Sequence, residues 1–274
     1  AAGTVTGSKF LVSTDDYRLL IDCGLFQGEK HLRELNWHPL NVAAKEIDVV
    51  LLTHGHLDHS GYLPLLVKYG FRGQILATHP TIDIAKIILS DTAKINEKEA
   101  QRANEEGYSK HHPAKPLYTI EEVNHVYNFF KAIPPSRWID LKTNIKVRFS
   151  YVGHILGATF IELDIFGKRL VFSGDIGRTN DLLLYPPLKP KKVDFLFLES
   201  TYGNKLHPAE DVKLLLETYI NNTFQKGGTV IIPSFAVERA QTIMYLLWQL
   251  QKEGKLPNIP YIIDTPMGIN VLEV

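Results

Sequence analysis

Cys23 is the chain's only cysteine, so no intrachain disulfide can staple the fold, and a reducing cytoplasm is the expected compartment. No run of 18 apolar residues occurs, which argues against a membrane-spanning helix. The first residues also lack the basic-then-apolar pattern of an export signal. There is no surplus of either charge, because 30 Lys and Arg balance 30 Asp and Glu. Total charge therefore does not announce a nucleic-acid partner, and a basic face would have to come from clustering. Repeats and low-complexity tracts are missing too, which excludes solenoid architectures and compositionally driven disorder. What remains is an ordinary globular composition, 45% hydrophobic and 22% charged over 274 residues. That is enough for one large α/β domain or two smaller ones.

The first quarter reads as short strands separated by turns. Phe10–Thr14, Arg18–Asp22 and Ile47–Thr53 are apolar or β-branched runs bounded by Gly, Asp and Pro. The run over 48–53 is nearly continuous, as in a strand covered on both faces. A short helix is expected over Gly61–Tyr69, a strand over Gln74–Thr78, and helices over about 82–106 and 119–131. The second long helix opens on Thr119-Ile-Glu-Glu122, a capping-box pattern. Strands are expected at 145–152, 159–166, 169–174 and 193–199. Helices at 209–226 and 237–253 then alternate with strands at Thr229–Pro233 and Tyr261–Asp264, the pattern of a parallel α/β layer. A domain boundary is placed near residue 205. The abrupt opening on Ala1-Ala2-Gly3 and the stop at Val274 read as a fragment.

The chemistry concentrates in His54-Gly-His56-Leu-Asp58-His59. Four ligand-type side chains crowd the turn between an apolar strand and a helix, a density of imidazole and carboxylate that suits Zn²⁺ or a similar divalent ion. Alternate residues on an extended segment share a face, so His54 and His56 can point together. Asp58 and His59, at the helix start, can face a second position. His154 in Val152-Gly-His-Ile-Leu-Gly-Ala158 and Asp175 in Phe172-Ser-Gly-Asp-Ile-Gly177 lie at further strand ends beside glycines, where a site on a sheet's edge draws its ligands. Asp22 is a third strand-end acid, equally readable as a turn cap.

These residues resemble, in order, the first motifs of the metallo-β-lactamase superfamily. The resemblance implies a four-layer αββα sandwich and two zinc ions. His54, His56 and His154 would bind one ion, Asp58 and His59 the other, and Asp175 would bridge. Asp22 would support the ligands from behind them. Leu198-Glu-Ser-Thr-Tyr-Gly203 followed by His207, Ile232–Gln241, Ile263–Gly268 and Gly3–Ser8 resemble the β-CASP branch, prokaryotic RNA-processing type. The implied organisation is a metallo-β-lactamase domain over 1–205 and the N-terminal part of an inserted β-CASP α/β domain over 206–274. That branch carries two further histidine motifs beyond the inserted domain, so the second zinc is expected to be one ligand short within this sequence.

The implied function is zinc-dependent phosphodiester hydrolysis of RNA. Asp58 and Asp175 would orient the attacking water, and Glu199 would assist protonation of the leaving 3′-oxygen. Ser200, Thr201, Tyr202, Ser234 and Arg239 are the candidate substrate contacts, Arg239 at a helix start where backbone amides favour phosphate. Single-stranded RNA is the expected partner, a membrane is not, and a homodimer is entertained as an assembly. The alternatives are a small-molecule hydrolase acting on a thioester, lactone or β-lactam, which would not need residues 198–268, and a non-catalytic nucleic-acid-binding subunit, which would not need intact ligands.

Overall fold

The computed structural model describes residues 3–206, 208 and 210–274; His207 of the expected motif lies outside them. The chain divides into two compact units, Ala1–Glu199 and Ser200–Val274, so the division falls ahead of the boundary read near residue 205.

The first unit is built on two sheets of five strands. In the first, β1 (Phe10–Ser13), β2 (Arg18–Ile21), β3 (Val49–Leu51), β4 (Gln74–Ala77) and β5 (Phe130–Ala132) lie side by side in chain order. β1 and β2 pair antiparallel, and the remaining pairs are parallel. Parallel neighbours need crossovers. The one between β2 and β3 carries a surface helix, α1 (Lys30–Glu34). The next carries α2 (Leu57–Ser60) and α3 (Leu63–Lys68), and the last carries α4 (His79–Glu106) and α5 (Ile120–Val126). α4 stops at Gly107, which takes the left-handed conformation (φ 69°) that glycine adopts without a Cβ penalty. The Thr119 hydroxyl accepts from the Glu122 amide, and the Glu122 carboxylate accepts from the Thr119 amide, so the expected capping box is formed.

The second sheet holds β6 (Trp138–Lys142), β7 (Ile145–Tyr151), β8 (Thr159–Ile165), β9 (Lys168–Phe172) and β10 (Phe195–Phe197). It is antiparallel except for β9 and β10. Leu19, Ile21, Val49, Leu51 and Leu76 of the first sheet pack against Ile145, Val147, Phe149, Ile161, Leu163 and Phe172 of the second. The other face of the first sheet buries Leu20, Val50, Leu52 and Ile75 against Leu63, Leu66, Ala85, Leu89 and Val123 of the helices. A helical layer, a parallel-rich sheet and an antiparallel sheet thus stack as three of the four layers expected of the αββα sandwich. Both faces of β3 are covered, which is why its sequence is apolar throughout instead of alternating.

Two expectations are corrected. The helix read over 119–131 ends at Val126, and after a 3₁₀ turn over Tyr127–Phe129 the chain becomes β5, with Phe130 opposite Ile75. Pairing along the open edge of β4 outweighs the weak helical preference of an aromatic pair. The segments Thr229–Pro233 and Tyr261–Asp264 form no ladder among the described residues. Their β-branched residues suit a strand, but a strand exists only where a neighbour supplies amides and carbonyls.

The second unit contains α6 (Val212–Gln225), capped by Asp211, then α7 (Arg239–Lys252) and α8 (Pro266–Val271). Ile220, Leu247, Leu250 and Leu256 form its small core. No helix among the described residues is long and apolar enough to cross a membrane.

Candidate metal centre

Four segments deliver the site, each leaving a strand at its carboxyl end: Asp22 after β2, His54 after β3, His154 after β7 and Asp175 after β9. The two sheets meet there, since the Thr159 amide and hydroxyl donate to the Thr53 carbonyl at 3.0 and 3.2 Å. Carboxyl ends of parallel strands are where open α/β sheets place ligands. His56 occupies the N-cap position of α2, and Asp58 and His59 lie in its single turn.

The close approach of these segments depends on glycine. A Cβ on Gly24 would sit 1.5 Å from the Asp58 carbonyl oxygen, and one on Gly177 would sit 1.6 Å from that of Gly153. Asp22 itself holds a positive φ of 58°, a conformation that Asp tolerates better than most residues.

His54, His56, His154 and Asp175 each offer one ligand atom, and all four atoms lie within 4.8 Å of one another. His56 Nδ1 is 3.2 Å from His54 Nε2 and 3.1 Å from His154 Nε2. Asp175 Oδ2 is 3.4 Å from His154 Nε2 and 3.8 Å from His54 Nε2. Tetrahedral ligands about 2.0–2.1 Å from an ion stand roughly 3.3 Å apart, so the spacing and the N₃O donor set both fit a divalent metal. The other carboxylate oxygen of Asp175 turns to a second group: Oδ1 is 3.2 Å from His59 Nε2, which is 3.7 Å from Asp58 Oδ2. Asp175 therefore faces both groups.

The charge states of His54, His56 and His154 suit a cation. Burial, reinforced by the surrounding imidazoles, pushes His54 far below the ordinary histidine range. Burial takes His56 down to about 3 and also lowers His154. Three neutral imidazoles therefore aim lone pairs at one place, as metal ligation requires. Burial raises Asp58. It also acts to raise Asp175, but the hydrogen bond and charge of His59, with His154 and His56, bring that carboxylate down to about 2. Burial opposes charge on His59, yet Asp22 and Asp175 hold it well above the ordinary range.

Behind the ligands, Asp22 Oδ2 lies 2.7 Å from His59 Nδ1. Its carboxylate also accepts from the Thr53 amide at 2.8 Å and from the Ser8 hydroxyl at 3.4 Å. Glu199 lies beside the group, its Oε1 accepting from the Ile176 amide at 3.4 Å and its own amide donating to Ser173 Oγ at 2.9 Å. Ser200, Thr201, Tyr202, Ser234 and Arg239 belong to the second unit. There Ser234 Oγ donates to the Phe235 carbonyl, and the Arg239 guanidinium lies over the Phe235 ring at 5.5 Å. The sequence alone gives Thr53 and Ser173 no role and marks Ser8 only as the end of the Gly3–Ser8 motif. Their partners are remote or generic, and only adjacency to His54 marks Thr53.

A family model described as "Metallo-beta-lactamase superfamily domain" matches residues 11–186. Ribonuclease TTHA0252 of Thermus thermophilus is 36% identical over 100% of this chain and 59% of its own length. Transcription termination factor FttA of Methanosarcina mazei is 34% identical over 94% of the chain and 39% of its own length. Endoribonuclease YSH1 of Candida glabrata is 32% identical over 86% of the chain and 30% of its own length. The chain thus spans between 30% and 59% of these relatives.

Proposed function

The chain belongs to the metallo-β-lactamase superfamily, and from that premise we propose that it is a two-zinc phosphodiesterase of the β-CASP branch that cuts single-stranded RNA. The observation that carries this is the pair of ligand groups sharing Asp175, one carboxylate oxygen turned to each. His54, His56, His154 and Asp175 would hold one ion, and Asp58, His59 and Asp175 the other. Bound there, zinc supplies Lewis acidity toward phosphoryl oxygens and makes an attacking water more acidic. The chain's own groups do the rest. Asp58, whose proton affinity burial has raised, is placed to orient the water and take its proton. Glu199, held beside Asp175 by the Ile176 amide, is assigned to the leaving 3′-oxygen. Asp22 holds His59 by its Nδ1, so that Nε2, the atom turned to Asp175, would ligate the ion on giving up its proton. Ser200, Thr201, Tyr202, Ser234 and Arg239 are assigned to the RNA backbone, and the assignment of RNA draws support from relatives named ribonuclease and endoribonuclease.

The test offers the full-length, zinc-loaded enzyme single-stranded RNA, matched DNA and a chromogenic β-lactam. RNA cleavage abolished by a chelator is the expected result. Cleavage of the β-lactam with no action on either nucleic acid would sink the proposal.

A further inference from the structure

Thr53 is wholly buried, and its hydroxyl touches both ligand groups through their supports. Oγ1 lies 3.0 and 2.9 Å from the two carboxylate oxygens of Asp22, and 3.0 Å from His54 Nδ1. A hydroxyl has one proton to give and two lone pairs with which to accept. The carboxylate has no proton to offer, so the Thr53 proton must go to Asp22; otherwise three oxygens would meet at 3 Å with nothing between them. With that proton committed, the contact to His54 is a hydrogen bond only if His54 Nδ1 is the donor. Nδ1–H then leaves the lone pair on Nε2, the atom that stands 3.2 Å from His56 Nδ1.

We propose that Thr53 is a positioning residue that fixes His54 as its Nδ1–H tautomer and ties it to the Asp22 carboxylate that orients His59. The inference rests on the reading of the cluster as a zinc site. It adds that the two ligand groups share one anchor behind them as well as Asp175 in front. Asp22 accepts directly from His59, whereas among the described residues His54 meets no carboxylate at Nδ1 and reaches Asp22 through the hydroxyl. The Thr53 backbone is held separately, its amide by Asp22 and its carbonyl by Thr159. Removing the hydroxyl therefore leaves the strand end in place while freeing the imidazole. Thr53→Val keeps the shape and loses the hydroxyl; Thr53→Ser keeps the hydroxyl.

The experiment has two readouts besides cleavage. ¹⁵N-histidine spectra of the metal-free chain report the tautomer of His54, and competition with a chromophoric chelator reports the zinc dissociation constant. The expected results are an Nδ1–H tautomer in the wild type, zinc binding weakened about 10- to 100-fold in Thr53→Val, and near-wild-type affinity in Thr53→Ser. An Nε2–H tautomer in the wild type overturns the proposal. So does a folded Thr53→Val with unchanged tautomer and affinity. If Thr53→Val does not fold, the wild-type spectrum decides alone. Neither readout involves RNA, so a chain that shows this tautomer and zinc dependence but cuts no RNA fails the nuclease reading while supporting this one.

Discussion

At the residue scale the site separates ligation from support, and substitutions should separate in the same way. Asp58 lies in the first turn of α2, whose backbone contacts, such as the Ser8 amide on the Asp58 carbonyl, do not use its side chain. Asp58→Ala should therefore lower the RNA cleavage rate by about 10²- to 10⁴-fold while thermal unfolding stays near that of the wild type. A folded variant with full activity removes Asp58 from the chemistry. Cys23, also beside the site, should behave oppositely. It is wholly buried, and burial pushes its thiol from 9.0 to about 12, so no thiolate is available for attack at neutral pH. Thiol reagents should label it only at the rate of unfolding, and rapid labelling of native protein would contradict the structure. The same shift makes the folded state the better proton binder, so this thiol's contribution to stability is complete below pH 9 and lost as pH rises toward 12. What the sequence makes legible at this scale follows its geometry. His54, His56, Asp58 and His59 share six positions, so their density alone signals a metal. Thr53 and Ser8 work through Asp22, 31 and 14 positions away in the chain, and no local pattern encodes such a contact.

At the element scale, the strand ends matter more than the strands. Hydrophobic runs revealed most of the sheet because both faces of β3 and one face of β7 are buried. They missed β5 and β6 because an edge strand of three residues and a half-exposed one of five carry too little periodicity to register. The two segments of the second unit show the converse, strand-like sequence with no ladder. Glycines at the strand ends carry the tightest constraint. A Cβ on Gly24 would fall well inside the Asp58 carbonyl, and the backbone that must yield also carries His59. Gly24→Ala should cost about 3 kcal/mol and weaken zinc binding, both readable by denaturant titration with and without metal. Thr119→Ala removes only the cap of α5, remote from the site in the helical layer, and should cost about 1 kcal/mol with zinc affinity unchanged. Equal effects of the two on zinc would mean that strand-end packing does not set the site.

At the scale of the whole molecule, the balance of charge predicts how RNA is held. With 30 basic and 30 acidic side chains, long-range steering toward a polyanion is weak, and binding must come from a few local contacts. Each phosphate neutralised on a single strand contributes about −0.7 to the slope of log affinity against log salt. Three such contacts would give a slope near −2, an approximately 20-fold loss between 50 and 200 mM salt. Fluorescence anisotropy with labelled single-stranded RNA, at several salt concentrations and with the Asp58→Ala protein to prevent cleavage, measures this slope. Arg239→Ala should make it shallower by about 0.7 if that guanidinium meets a phosphate, and should leave it unchanged if the side chain serves only to cover Phe235. A slope several times steeper would reveal a basic surface that the neutral composition conceals. Binding indifferent to salt would place the affinity in bases instead of backbone, and the proposed mode of recognition would be wrong.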